Sequence, residues 1–174
     1  QVQTDDNTSG GTYRCAGFVW DGVGVPQGAT IDTAYVEVRQ FQPAGGDDPH
    51  FDLYGNDVDN ASDFSSDADI INRTRTSASV AFSDDNVGLD SWYGSSYEIK
   101  SIIQEIVDRA GWSSGNDLCL LMIADVDAAN YRLDIVDYSA GFPSFTAKLY
   151  IEYTESSGQT ISPSSISSDE SMGS

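Results

Sequence analysis

The residues able to perform acid–base or nucleophilic chemistry are numerous, but they do not form a catalytic set. His50 is the one histidine of the chain, and it could serve as the base of a serine triad. Neither a G-x-S-x-G elbow nor an H-E-x-x-H helix is present. Paired carboxylates for glycoside hydrolysis stay open among 28 acidic residues, but aspartates in turns are the simpler interpretation. The sequence therefore predicts that the protein is not an enzyme and that His50 lies in a surface loop.

Several clusters of aspartate could bind calcium, which takes oxygen ligands that converge from one loop. None of the clusters has the spacing of a helix–loop–helix calcium site, in which ligands alternate, glycine is sixth and glutamate is twelfth. Aspartates that cap turns are the default interpretation, and calcium is the alternative. The sequence indicates no other cofactor. The calcium candidates are Asp57, Asp59, Asp84 and Asp85.

Three Asn-x-Ser/Thr triplets fit the acceptor pattern for N-glycosylation, at Asn7, Asn60 and Asn72. The pattern has chemical meaning only in a secreted protein. Whether these asparagines carry glycans therefore depends on whether the protein is secreted.

Two cysteines, Cys15 and Cys119, allow one disulfide. Cys15 has the opposite parity to its apolar neighbours, whereas Cys119 lies in a continuous apolar run. A bridge requires the two strands to be adjacent. Separate buried thiols are the alternative.

Aromatic rings offer flat apolar faces on which a sugar could stack. Trp20 and Trp112 are predicted to belong to the core, because Trp20 has the inward parity of its strand and Trp112 follows a predicted helix. Trp92 and Tyr93, in a loop over 90–95, are the predicted ligand contacts.

The charge of the chain excludes two classes of partner. Lys and Arg number 8 against 28 Asp and Glu, which gives a formal net charge of −20. Such a charge repels nucleic-acid phosphates and anionic lipid headgroups. No apolar run approaches the roughly 18 residues of a membrane span. We therefore expect neither nucleic-acid binding nor membrane insertion.

The elements that carry these residues are mostly short strands. Alternating apolar residues mark strands over 13–20, 31–41 and 145–153, and shorter ones over 51–54, 70–72, 77–82 and 131–138. Residues 55–69 form a long polar stretch. The continuous apolar run over 118–124 predicts a central strand that is buried on both faces.

One amphipathic helix is predicted over about 97–110, where isoleucine and valine recur at helical spacing. Ser95 and Glu98 have the spacing of a capping box, and Gly111 stands where a left-handed C-terminal cap belongs. With about eight strands, the fold class is mainly β, an antiparallel jelly roll or β-sandwich.

Polar arms flank this predicted domain. Residues 1–12 form an N-terminal arm, 13–155 the sandwich, and 156–174 a serine-rich C-terminal arm that cannot bury enough surface to fold alone. The sequence begins without a basic, then apolar, leader, so any signal peptide is expected to have been removed.

Five ordered blocks stand out between residues 25 and 153. They are VPQGATIDTAYV (25–36), LYGNDVDNA (53–61), NRTRTSASV (72–80), IKSIIQEIVDRAGWSSGN (99–116) and KLYIEY (148–153). Together they resemble extracellular β-sandwich modules of the DNRLRE style, which occur in large secreted microbial proteins. The resemblance implies a non-catalytic, secreted, jelly-roll-like module and carries no ligand with it.

The function expected from these features is that of an extracellular structural subunit. An open sheet edge exposes backbone donors and acceptors that an extended segment of another chain can fill. A donated arm makes a head-to-tail contact and therefore a filament, with Val2, Ile161 and Ile166 as the apolar points of the arms. The partner is then a second copy of the chain. The alternative is an accessory module that binds polysaccharide or a cell surface.

Overall fold

The computed structural model describes residues 2–6, 14–39, 50–65, 67–83, 92–124 and 146–155. Eight strands and two short helices lie within these ranges. The strands are Val2–Asp6 (β1), Arg14–Val23 (β2), Thr30–Arg39 (β3), His50–Asn56 (β4), Arg75–Ser83 (β5), Trp92–Tyr93 (β6), Asn116–Ala124 (β7) and Lys148–Thr154 (β8), and the helices are Asp67–Asn72 (α1) and Lys100–Val107 (α2).

Two antiparallel sheets face each other across a common core. One has the strand order β1-β2-β7-β4-β5, and the other has the order β6-β3-β8. Apolar side chains from both sheets meet in a single cluster, which includes Phe18, Val36, Leu53 and Leu120. The predicted mainly β, antiparallel sandwich is confirmed.

Among the described residues, the domain that follows the N-terminal arm has seven strands rather than the predicted eight, and β1 joins them from the arm. Residues 70–72, predicted as a strand, belong to helix α1, where Asp69 pairs with Arg73 one turn later. Trp92 and Tyr93, predicted in a loop, form the short strand β6 because they pair with the end of β3. The predicted strand over 131–138 lies outside the described residues.

Strand β7 is buried on both faces, as its continuous apolar run predicted. Leu118, Leu120 and Met122 point into the core between the sheets. Cys119 and Leu121 point to the opposite face, into a second apolar cluster. The strand lies at the centre of the five-stranded sheet, where a residue on either side of the pleat is covered.

The second cluster covers the outer face of the five-stranded sheet. Phe64 and Ile70, from the segment between β4 and β5, pack there against side chains of β2 and β7. Gly17 allows the approach of Phe64, because a Cβ atom at Gly17 would lie 2.2 Å from the ring. Phe64 lies in the stretch over 55–69 that was predicted as polar, and Ile70 lies in the segment predicted as a strand, so the two together supply the apolar cover of a sheet face.

Helix α2 begins and ends about three residues inside its predicted limits. Its buried side chains are those that the helical spacing predicted, including Ile102, Ile103 and Ile106. The predicted capping box is wrong, because the N-cap is Ile99 without a side-chain bond and the Glu98 carboxylate instead accepts hydrogen bonds from the Ala34 and Lys100 N–H groups. Neither helix in the described ranges is long and apolar enough to cross a membrane.

The polar side chains of α2 fasten it to both sheets. Gln104 Oε1 accepts from the Ile31 N–H of β3 at 2.9 Å. The Glu105 carboxylate accepts from the N–H groups of Ser77 and Ala78 in β5, at 2.7 and 2.8 Å. Each bond satisfies a backbone donor in the first few residues of a strand, so the helix joins the two sheets.

Candidate functional site

The outward surface of the three-stranded sheet carries aromatic and charged side chains. Val36 and Val38 of β3 are buried in the core, so the residues between them point outward. Directly opposed residues of antiparallel strands share a face. Tyr35 lies opposite Tyr150, Glu37 opposite Lys148, and Arg39 opposite Trp92. We call this surface the aromatic face, and its members are Tyr35, Glu37, Arg39, Trp92, Lys148 and Tyr150.

The rings of the aromatic face are held in defined positions. Tyr35 and Tyr150 stack with their ring centroids 4.7 Å apart and an interplanar angle of 22°. Tyr150 is 39% exposed. The Lys148 ammonium lies 3.5 Å from the centroid of the Trp92 ring. Because β3 separates β6 from β8, the Lys148 side chain reaches across β3 to make this cation–π contact.

A carboxylate lies among these rings. The pKa of Tyr150 is raised, first by partial burial of its hydroxyl and then by the charge and hydrogen bonding of Glu37. In the hydrogen bond between these two groups the tyrosine hydroxyl is the donor and the Glu37 carboxylate is the acceptor. The face thus combines flat apolar rings with an acceptor at Glu37 and a donor at Lys148.

The structure separates the two predicted ligand contacts. Trp92 belongs to the aromatic face and is half-buried. Tyr93 points to the core side of β6, where its ring packs edge-on against Phe82 at 4.7 Å and its hydroxyl lies 3.2 Å from that of Tyr97. The residues that accompany Trp92 are instead Tyr35 and Tyr150, which sequence reasoning missed. Their outward parity could be read from each strand, but the register that stacks them could not.

The other two tryptophans belong to the core, as predicted. Trp112 is buried, and its indole Nε1 donates to the Val25 carbonyl at 2.9 Å. Trp20 packs against the main cluster and donates to the Ala147 carbonyl.

The N-terminal arm has a partner within its own chain. Strand β1 pairs with β2 in an antiparallel ladder of five rungs, from Val2 opposite Phe18 to Asp6 opposite Arg14. The sequence predicts an arm that is donated to a second copy of the chain, whereas in this structure β1 lies on its own sheet. Ile161 and Ile166 of the C-terminal arm lie outside the described residues.

Two of the calcium candidates have a guanidinium partner. Arg109 Nε donates to Asp59 Oδ1 at 2.7 Å, and Arg109 also pairs with Asp57. Asp84 and Asp85 lie outside the described residues. Within the ranges that the structure describes, no three His, Cys, Asp or Glu side chains are grouped as a metal site.

The cysteines lie on adjacent strands, but their register keeps them apart. Cys15 is opposite Ile123, and Cys119 is opposite Val19. Four residues along a ladder correspond to about 14 Å, whereas a disulfide requires Cα atoms within about 7 Å. Both are buried thiols, and burial raises the pKa of Cys119 to about 12. The structure therefore replaces the predicted bridge with the alternative of separate thiols.

Of the glycosylation candidates, Asn60 and Asn72 are exposed and Asn7 lies outside the described residues. Asn60 Oδ1 accepts from the Asp117 N–H at 2.7 Å, which fixes the side chain on the surface. His50, predicted in a loop, is the first residue of β4.

Comparison with known proteins adds no assignment to these sites. No protein-family model matches the chain, and no curated protein matches it. The resemblance to DNRLRE-style modules therefore stays a prediction.

Proposed function

We propose that this protein is a non-catalytic extracellular module that binds a neutral polysaccharide through its aromatic face. The observation that carries the proposal is the gathering of Trp92 and the Tyr35–Tyr150 pair on one outward sheet surface, with Glu37 and Lys148 between them. The resemblance to secreted microbial modules agrees with an extracellular location.

The composition of the face suits a sugar chain. Sugars expose apolar C–H faces that stack on aromatic rings, and hydroxyls that need donors and acceptors. The rings supply the stacking surface, and Glu37 and Lys148 supply hydrogen-bonding groups.

The shape of the face favours an extended chain over a single sugar. The row that holds Trp92 is four residues of β3 away from the row that holds Tyr35. At about 3.3 Å per residue this is about 13 Å, on an open sheet surface rather than in a pocket. An oligosaccharide can span that distance, whereas one monosaccharide cannot.

The charge of the molecule selects the class of sugar. A formal net charge of −20 repels uronic-acid and sulfated polymers over the whole surface, so a neutral chain is the favoured ligand. Lys148 covers Trp92 in the free protein. Its flexible stem allows the ammonium to leave the ring and donate to a sugar hydroxyl instead.

Affinity electrophoresis in gels that contain hydroxyethyl cellulose, xylan or laminarin tests the proposal, with alginate as the anionic comparison. We expect retardation by at least one neutral polymer and none by alginate. Trp92→Ala and Tyr150→Ala should each weaken binding about two- to tenfold, because a stacked ring contributes ~0.5–1.5 kcal/mol beyond its buried area.

Tyr153→Ala is the matched control. Tyr153 lies on the same strand with similar exposure, 37%, but has the opposite parity and donates to the Gly24 carbonyl. It should leave binding unchanged. No retardation by any of the three neutral polymers, or equal losses in Tyr150→Ala and Tyr153→Ala, would contradict the proposal.

A further inference from the structure

Without β1, strand β2 would be the edge strand of the five-stranded sheet, and its backbone would be open to pairing with other chains. With β1 in place, Ala16 and Phe18 on one face and Cys15 and Val19 on the other are all nearly inaccessible to solvent. A sheet edge whose side chains are apolar on both faces pairs readily with any extended chain. The β2 edge therefore needs a permanent occupant.

The present occupant of the β2 edge is a short strand that pairs with it through the backbone. Strand β1 has the sequence VQTDD, with Val2 as its one apolar residue, and it pairs with β2 over five rungs. Helix α1 lies against both β1 and β2, so the strand occupies a groove that is lined by β2 and α1. A short, polar edge strand is among the first elements of a domain to open.

We infer that β1 is an exchangeable strand, and that the β2 edge of one molecule accepts the β1 strand of a second copy of this chain. The exchanged contact reproduces the same five rungs, from Val2 opposite Phe18 to Asp6 opposite Arg14, between two molecules. This interaction is independent of glycan binding. It identifies the N-terminal arm as the donor for the filament predicted from the sequence.

The connection between β1 and β2 determines whether the β2 edge pairs with its own β1 or with the β1 of a second copy. Residues 7–13 join β1 to β2, and a connection of this length keeps the chain's own strand at an effective concentration of about a millimolar. A second copy competes only when its local concentration approaches that value or when the connection cannot turn back. The donor β1 and the acceptor edge of β2 are different surfaces, so exchange propagates head to tail as an open filament unless the copies close into a dimer or a ring.

A stiffened connection tests the inference in the full chain. Residues 8–12 are replaced by a run of prolines of the same length, which extends about 3.1 Å per residue. Such a rod cannot bridge neighbouring strands that lie about 4.8 Å apart, but it leaves β1 and β2 unchanged. The matched control replaces the same residues with a Gly/Ser run of equal length.

Sedimentation velocity and negative-stain electron microscopy at concentrations well below about a millimolar report the outcome. We expect head-to-tail assemblies for the proline variant and monomers for the Gly/Ser variant. Removal of residues 1–6 from the proline variant bares the same β2 edge without a donor and should abolish ordered assembly. A monomeric proline variant, or equal assembly without residues 1–6, would overturn the inference, whereas a closed dimer that needs residues 1–6 would support strand exchange and exclude the filament.

These outcomes are separate from those of the glycan test. The aromatic face and the β2 edge belong to different sheets. A Trp92→Ala variant in the proline background should therefore assemble like its parent while binding polysaccharide more weakly.

Discussion

Position 111 requires glycine because the Asp59 carboxylate occupies the space that a side chain would need. Sequence reasoning placed this glycine in a left-handed helix cap, but the left-handed glycines of the described residues are Gly22, Gly28, Gly94 and Gly115. A Cβ atom at Gly111 would instead lie 2.1 Å from Asp59 Oδ2, the carboxylate that Arg109 binds. The glycine makes room for an ion pair.

Replacement of this glycine should therefore destabilise the fold through contact rather than through backbone strain. Gly111→Ala is expected to lower the free energy of unfolding by about 1–3 kcal/mol, as overpacking does, measured by urea denaturation. Gly24→Ala is the control, because nothing lies within 4 Å of its Cβ position. Adding Asp59→Ala should remove most of the difference between the two alanine variants. Equal effects of Gly111→Ala and Gly24→Ala would contradict this account.

For single residues, the sequence indicated which aromatic side chains could contact a ligand, but it did not indicate which of them lie together. Trp92 was identified as a ligand contact and does lie on the aromatic face, yet its predicted companion Tyr93 points to the core. Strand parity alone separates these two neighbours once β6 is known to be a strand. The Tyr35–Tyr150 stack depends on the pairing of β3 with β8, which are more than a hundred residues apart.

Elements were predictable where their apolar pattern was long. Strand β7 and the buried stripe of α2 follow directly from continuous and helical spacing. The ends of α2 did not, because Glu98 bonds to β3 rather than capping in the predicted way. Helix α1 was missed because six residues with two isoleucines do not distinguish a short helix from a strand.

Helix α1 holds the outer layer of the sheet through a nearly buried arginine. Arg73 Nη2 donates to Asp69 Oδ2 at 3.0 Å and to the Asp63 carbonyl at 2.9 Å. Its guanidinium carbon lies 4.1 Å from the centroid of the Phe64 ring. Hydrogen bonds from Arg73 and Ser65 lower the pKa of Asp69 from 3.8.

The lowered pKa sets the pH dependence of this layer. A carboxyl group whose pKa is lower in the folded state than in the unfolded state stabilises the fold at pH values above its unfolded-state pKa. That stabilisation is lost as the pH falls through its folded-state pKa. Asp69→Asn should therefore lower the free energy of unfolding by about 1–3 kcal/mol at neutral pH, because Arg73 loses a charged partner. The difference from the wild type should shrink below pH 3.8.

Urea denaturation across this pH range measures both quantities. Asp21→Asn removes the same charge from an exposed position of β2 and controls for the change in net charge. A difference for Asp69→Asn that stays constant down to the acid limit would show that the ion pair is not its cause.

For the whole molecule, the large negative charge opposes compactness through repulsion among the acidic side chains. The formal charge of −20 is spread over 174 residues, and the ion pairs described involve Arg73 and Arg109. The pattern of short apolar runs predicted the mainly β fold. It could not predict which sheet face the aromatic rings share or which edge the N-terminal arm covers, because both depend on strand order.

Salt should therefore stabilise the folded protein at neutral pH. Between about 0.01 and 0.15 M salt the screening length falls from about 30 to about 8 Å, which weakens the repulsion among the acidic side chains. We expect the melting temperature to rise by about 2–4 °C, corresponding to about 1 kcal/mol for a protein of this size. Differential scanning calorimetry in NaCl measures the shift.

Near pH 4.1, the isoelectric point, the melting temperature should depend much less on salt, because the net charge is then close to zero. A melting temperature that falls with salt at neutral pH would mean that attractive pairs outweigh the repulsion.

Repulsion also acts between molecules, and β1 itself carries Asp5 and Asp6. Assembly of the proline variant should therefore be faster at 0.15 M than at 0.01 M salt, followed by light scattering, whereas stacking of a neutral polysaccharide on the aromatic face should depend little on salt.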